Sequence, residues 1–128
     1  MKFLSIYKSV ERSTPPSQEE MASMGKLIEE GFQKGWLVST EGCLPSALGV
    51  RVRSDGNDFL VKDGPFTESK EIGGGFAILR AASKAEAVEL TKRFMSIAGH
   101  GGECELRQLY EAHDAPCAQV TAGAAAKA

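Results

Sequence analysis

Apolar and polar positions follow two rhythms along this chain. Residues 2–7 read as a strand, with Phe3, Ser5 and Tyr7 on one face and Leu4 and Ile6 on the other. After the turn-prone Ser13-Thr14-Pro15-Pro16, the spacing changes to three and four. Met21, Met24, Ile28 and Phe32 form an apolar stripe. Ser17 and Glu20 make a capping box, and Gly35 supplies a left-handed stop, so the pattern predicts a helix over 17–34 with that stripe in the core. Glu30 and Lys34 can pair across one turn of it. A second strand over 36–43 is broken by Pro45.

A hairpin follows, with arms at 50–54 and 59–61. The Asp55-Gly56 pair between them is expected to form a type I′ turn, whose twist matches the strands. Residues 62–75 are rich in turn formers and charge, and Phe76, Ala77, Ile78 and Leu79 form another strand. Ser83 and Glu86 repeat the capping box, and Ala87, Leu90, Phe94 and Ile97 mark a helix over 83–98 that Gly99 ends. A last strand covers 103–110, where Cys104, Leu106, Gln108 and Tyr110 alternate with Glu103, Glu105, Arg107 and Leu109. The order is βαββαβ with an inserted hairpin, an α+β chain of ferredoxin-like architecture. Residues 1–110 make the domain, and the alanine-rich 111–128 read as a tail.

That architecture leaves a debt. The helices cover one side of the sheet, and neither parity of Phe3/Leu4 or of Phe76–Leu79 leaves the other side polar. Four large apolar side chains left in water forfeit about 1.5–3 kcal/mol each, which rivals the roughly 5–15 kcal/mol stability of a whole domain. The expectation is a homodimer, sheet against sheet about a two-fold axis, forming a dimeric α+β barrel. The alternative is that the hairpin or the tail folds over that side.

Composition narrows the function classes. A chain of 128 residues with 42% hydrophobic and 25% charged residues is ordinary for one folded domain. A net charge of −2 without a basic stripe argues against nucleic-acid binding. No apolar run approaches the roughly 18 residues of a membrane span, and the N-terminus lacks the pattern of a signal peptide. A cytoplasmic protein without membrane contact is therefore expected. Cys43, Cys104 and Cys117 are odd in number and without paired spacing, which fits reduced thiols. His100 and Cys104 lie four apart, but Gly101-Gly102 falls between them and no second ligand pair exists, so no metal site is expected.

The informative segment is Asp63-Gly64-Pro65-Phe66-Thr67-Glu68-Ser69-Lys70-Glu71-Ile72-Gly73-Gly74-Gly75-Phe76. Gly64-Pro65 sets a tight turn, Phe66 is an anchor, and the three glycines allow another backbone or a ligand to approach closely. The glycines lack the Lys-Ser/Thr of a P-loop and open a strand rather than a helix, so no cofactor is expected there. The run resembles the signature of the YCII-related family, DGPF type: Asp-Gly-Pro-Phe, then Glu, then Lys-Glu, then Gly-Gly before an aromatic-containing strand. The resemblance spans residues 1–110. It implies a dimeric α+β barrel of ferredoxin-like protomers with a pocket between sheet and neighbouring loops. Members often accompany extracytoplasmic-function sigma factors, and their biochemical role is generally unassigned. Related proteins are proposed to use a His–Asp pair with the His near the first helix. This chain has no His before His100, so that pair does not carry over.

Asp63 is thus a candidate general base or ligand-binding carboxylate, or an Asx-type turn former. Tyr7, Arg53, Phe66, Glu68 and Lys70 are candidate ligand-binding residues. Three functions fit. The chain could bind a small organic molecule near this loop. It could be an enzyme of isomerase or lyase type, with Asp63 as base and Tyr7 or Arg53 polarising the substrate. It could be an interaction module accessory to a transcriptional regulator, with the hairpin presenting an edge to a partner.

Overall fold

In this computed structural model, residues 1–10, 15–66, 72–98 and 101–112 are described. The N-terminal alternation forms β1 (Lys2–Ser9). The first helix, α1 (Gln18–Lys34), starts where the Ser17 hydroxyl accepts the Glu20 N–H at 3.1 Å. It ends on Gly35 at φ 82°, where a side chain would be strained. Then come β2 (Leu37–Gly42), a 3₁₀ turn at Ser46–Leu48, and the hairpin strands β3 (Val50–Asp55) and β4 (Asp58–Asp63). They are followed by β5 (Ile72–Arg80), α2 (Lys84–Ala98) and β6 (Glu103–Gln108). Ser83 caps α2 by accepting the Glu86 N–H at 3.1 Å. The result is a mixed α+β fold, in which four antiparallel strands run in the order β2-β5-β1-β6 and β3-β4 stand apart as a two-stranded sheet. Among the described residues, no helix is long and apolar enough to cross a membrane.

Three expectations need correction. The buried line of α1 runs through Leu27 and Gly31, whereas Met21 and Phe32 are 55% and 50% exposed. The helix turns this face inward because Gly31 lets it sit on Trp36 and Leu37: a Cβ there would meet the Leu37 Cβ at 2.7 Å and the Trp36 ring at 2.9 Å. The hairpin loop is Gly56-Asn57, since Asp55 pairs with Asp58. Gly56 has φ 63° and, among the described residues, Asn57 included, no non-glycine residue has positive φ, which is the sign pattern of type II′ rather than I′. Finally, the glycines at 73–75 lie inside β5, not ahead of it.

The register decides which side chains face the helices. Phe3 packs with Ala81, Ala87, Leu90 and Leu106, so its parity is the inner one. Along that face Phe3 opposes Leu79, Ser5 opposes Ala77, and Tyr7 opposes Gly75. On the neighbouring strand Leu37 opposes Leu79, Thr40 opposes Ala77, and Gly42 opposes Gly75. The inner face therefore tapers from bulky to small along β2 and β5, while β1 keeps Tyr7 at the narrow end. The outer face carries the pairs Leu4–Ile78 and Ile6–Phe76, flanked by Arg107 and Glu105.

The helices are tied together across their outer surface. Arg93 of α2 grips Glu30 of α1 with two bonds of 2.6 and 2.9 Å, and its guanidinium lies 5.8 Å from the Trp36 ring. Lys34 adds a contact to Glu30 at 3.5 Å. The Arg93 hydrogen bond is the main reason the Glu30 carboxyl ionises at about 2 rather than at 4.5. A group whose folded pKa is depressed stabilises the fold above its ordinary value and ceases to do so as pH falls through the folded value. Glu30→Gln should therefore lower the melting temperature at neutral pH, and the gap to the parent should close between pH 4.5 and about 2. Thermal melts across that window check it, and a gap that does not change with pH would mean that the ionised carboxylate is not its source.

Candidate functional site

The taper of the inner face opens a cavity of about 380 Å³ between sheet and helices. Ser5, Tyr7 and Ala77 contribute from the sheet, while Met24 and Ile28 of α1 and Leu90 and Phe94 of α2 contribute from the helices. Trp36 and Cys104 also line it. The exposed Pro16, Glu41, Gly42 and Gly74 form its rim. Among the described residues, Glu41 is the only charged side chain in that lining.

Three hydroxyls of the wall are already engaged with backbone carbonyls. The Tyr7 hydroxyl donates to the Ala98 carbonyl at 2.7 Å, Thr91 to the Ala87 carbonyl at 2.9 Å, and Thr40 to the Phe76 carbonyl at 3.0 Å. The Cys104 thiol points to the Met95 sulfur at 3.3 Å. Its pKa is pushed up because burial disfavours the thiolate, and a hydrogen bond with Ser5 offsets this in part.

Tyr7 is held by two neighbouring glycines, Gly74 within β5 and Gly102 just ahead of β6. Its ring meets Phe94 edge-on at 5.3 Å and 79°. A Cβ on Gly74 would come within 3.1 Å of that ring, and one on Gly102 within 2.5 Å. Gly75 works on the other side of β5, where a Cβ would lie 2.7 Å from the Glu41 carbonyl oxygen.

The first part of the signature is spent elsewhere. Gly64 N–H donates to the Gly49 carbonyl at 3.0 Å and Phe66 N–H to the Ser46 hydroxyl at 3.2 Å. Phe66 is buried, with the Arg51 guanidinium stacked 4.0 Å above its ring. These contacts tie the base of the hairpin to the 3₁₀ turn. Asp63 is exposed at the end of β4 opposite Val50, and Arg53 is exposed opposite Leu60.

Of the residues singled out from sequence, Tyr7 lines the cavity, whereas Asp63, Arg53 and Phe66 do not. Glu68 and Lys70 lie outside the described residues, as do Glu71, His100 and Cys117. Trp36, Phe94 and Met24 are not site residues in the sequence reading; Cys104, weighed there as a nucleophile against an inert buried thiol, shares the parity of Tyr7 across the β1–β6 pair. Among the described residues, no group of three or more His, Cys, Asp or Glu could hold a metal ion.

Comparison with known proteins gives a family and little more. The YCII-related domain matches residues 1–112. No curated protein matches. Among solved structures, the chain is similar to 5-chloro-2-hydroxyhydroquinone dehydrochlorinase of Burkholderia phenoliruptrix, solved in complex with 2,5-dihydroxybenzoquinone. The identity is 17%, the match covers 87% of this chain and 95% of that one, and the TM-score is 0.49. A likeness that loose says nothing about chemistry in this chain.

Two measurements probe the site's construction. Gly64→Ala drives a methyl group into the Ser46 carbonyl, and overpacking of this kind typically costs about 1–3 kcal/mol. Denaturant melts should show that loss, while an unchanged midpoint would mean the hairpin base is slack. In chains keeping one cysteine each, Cys104 should react with a disulfide reagent at pH 7.5 at least about ten times more slowly than the exposed Cys43. Equal rates would show that the cavity wall is open to water.

Proposed function

We propose that this chain, which belongs to the YCII-related domain family, binds a small, neutral, mainly apolar organic molecule in the cavity between sheet and helices. The observation that carries this reading is the state of the wall. The hydroxyls of Tyr7, Thr40 and Thr91 are bonded to the protein's own carbonyls and Ser5 lies with the Cys104 thiol, so a guest is offered mainly aromatic and aliphatic surface from Tyr7, Trp36, Phe94 and Met24. The volume, about 380 Å³, falls within the roughly 300–1,000 Å³ of small-molecule pockets. A polar end of the guest would sit at the rim, near Glu41. Acid–base chemistry by Asp63 draws no support from the exposed position of that residue outside the lining.

The outer face supports the assembly. Leu4, Ile6, Phe76 and Ile78 lie there together, away from the helices. Pairing with a second copy, sheet to sheet, would cover them and give the dimeric α+β barrel with ferredoxin-like protomers. The cavity lies on the opposite side of the sheet, so each protomer keeps its own.

Trp36 is the only tryptophan in the chain and lines the cavity, so its emission reports occupancy. The neutral fluorophore N-phenyl-1-naphthylamine should bind saturably, one per chain, with quenching of Trp36. Ala77→Phe, which fills the sheet side of the cavity, should weaken that binding about ten-fold or more. Unsaturable binding, or equal affinity in the filled variant, would refute the assignment.

A further inference from the structure

Beyond the anchor at its base, nothing among the described residues buries the hairpin. Every residue of β3 and of β4 is exposed. A lone two-stranded hairpin is marginal in water and needs an apolar neighbour. This one is built to meet one. The register places Val50, Val52, Phe59 and Val61 on one face, and Arg51, Arg53, Leu60 and Lys62 on the other. Val52, Phe59 and Val61 are 64%, 64% and 67% exposed.

We propose that β3–β4 is an arm that reaches across the two-fold axis and lays Val52, Phe59 and Val61 on the outer sheet face of a second copy of this chain. The proposal rests on the pairing of copies set out above and adds what makes that pairing stable. A stable dimer buries about 800 Å² per partner, more than half of it apolar. Phe76 is 36% exposed, and Leu4, Ile6 and Ile78 are already partly covered. At the roughly 200 Å² of a whole aromatic side chain, four such residues offer about 300 Å² at most. Sheet-to-sheet contact alone therefore falls short. By the same reckoning the three arm residues, 64%, 64% and 67% exposed, add at most about 390 Å² more.

The dimensions also fit. Six residues per strand make an arm about 20 Å long, and four strands at about 4.8 Å spacing span about 14 Å. The arm is long enough to cross a partner's sheet. Two-fold symmetry makes the clasp reciprocal, so each outer face gives one arm and receives one.

The test uses the full chain in sedimentation velocity from 1 to 100 µM, with Val52→Asp/Val61→Asp beside the parent and circular dichroism on both. The parent should be a dimer, and the variant should keep its fold while its dimer dissociation constant rises at least about thirty-fold. Hydrogen exchange of the amides at 50–63 in the parent should slow as concentration rises through the dimer transition. That measurement stands alone if the variant does not fold. A parent dimer whose variant associates equally well, with arm amides exchanging fast throughout, would overturn the arm and leave the pairing intact. A parent that stays monomeric would overturn both. Arm amides protected in a monomer would show that the chain covers its own hairpin, and the arm would again be refuted.

Discussion

The parity of β1 governs this molecule. With Phe3, Ser5 and Tyr7 turned to the helices, Leu4 and Ile6 face away from them. The partner strand follows the same division, with Ala77 and Gly75 inside and Ile78 and Phe76 outside. A protein that needed only a packed core would place its bulk on the inner side. Here bulk fills that side at one end, where Phe3, Leu37 and Leu79 are buried. Toward the other end the inner positions of β2 and β5 dwindle to threonine, alanine and glycine, and Tyr7 of β1 is the large side chain that remains beside the cavity. Close packing is the rule in protein interiors, and the cavity is where these residue sizes suspend it.

The signature segment has two separate structural jobs. Its Gly-Pro-Phe portion anchors the hairpin to the 3₁₀ turn through backbone bonds and the buried Phe66 ring. Its glycines enter β5 and let Tyr7 and the β2 edge come close. One motif thus shapes both the hairpin that stands off the fold and the rim of the cavity.

Local chemistry was legible in the chain. Ser17, Gly35 and Ser83 mark helix ends because a cap is decided by a few neighbouring atoms. The alternation of β1 correctly implied apolar groups on both sides of the sheet. What escaped depended on distant partners. The stripe through Met21 and Phe32 looked like core because its spacing is right, yet the contact is set by Gly31 against Trp36 and Leu37, a fit that periodicity does not encode. The hairpin loop slipped by one residue because both Asp55-Gly56 and Gly56-Asn57 suit a two-residue turn, and the pairing of Asp55 with Asp58 selects the second. Asp63 drew attention as the acid of a recognisable motif, but motif position does not tell which way a strand end faces. The cavity residues come from both helices and from β1, β2, β5 and β6, and no local pattern announces them.

Tyr7, Gly74 and Gly102 come from separate parts of the chain and occupy one small volume. A methyl group at either glycine collides with the phenol ring, and a smaller residue at position 7 would release both. Such contacting positions are not additive in their effects. These three sites are therefore bound to drift together: a change at one is harmful in the present background and can become neutral in another, so the order in which substitutions arrive decides which descendants of this chain remain foldable.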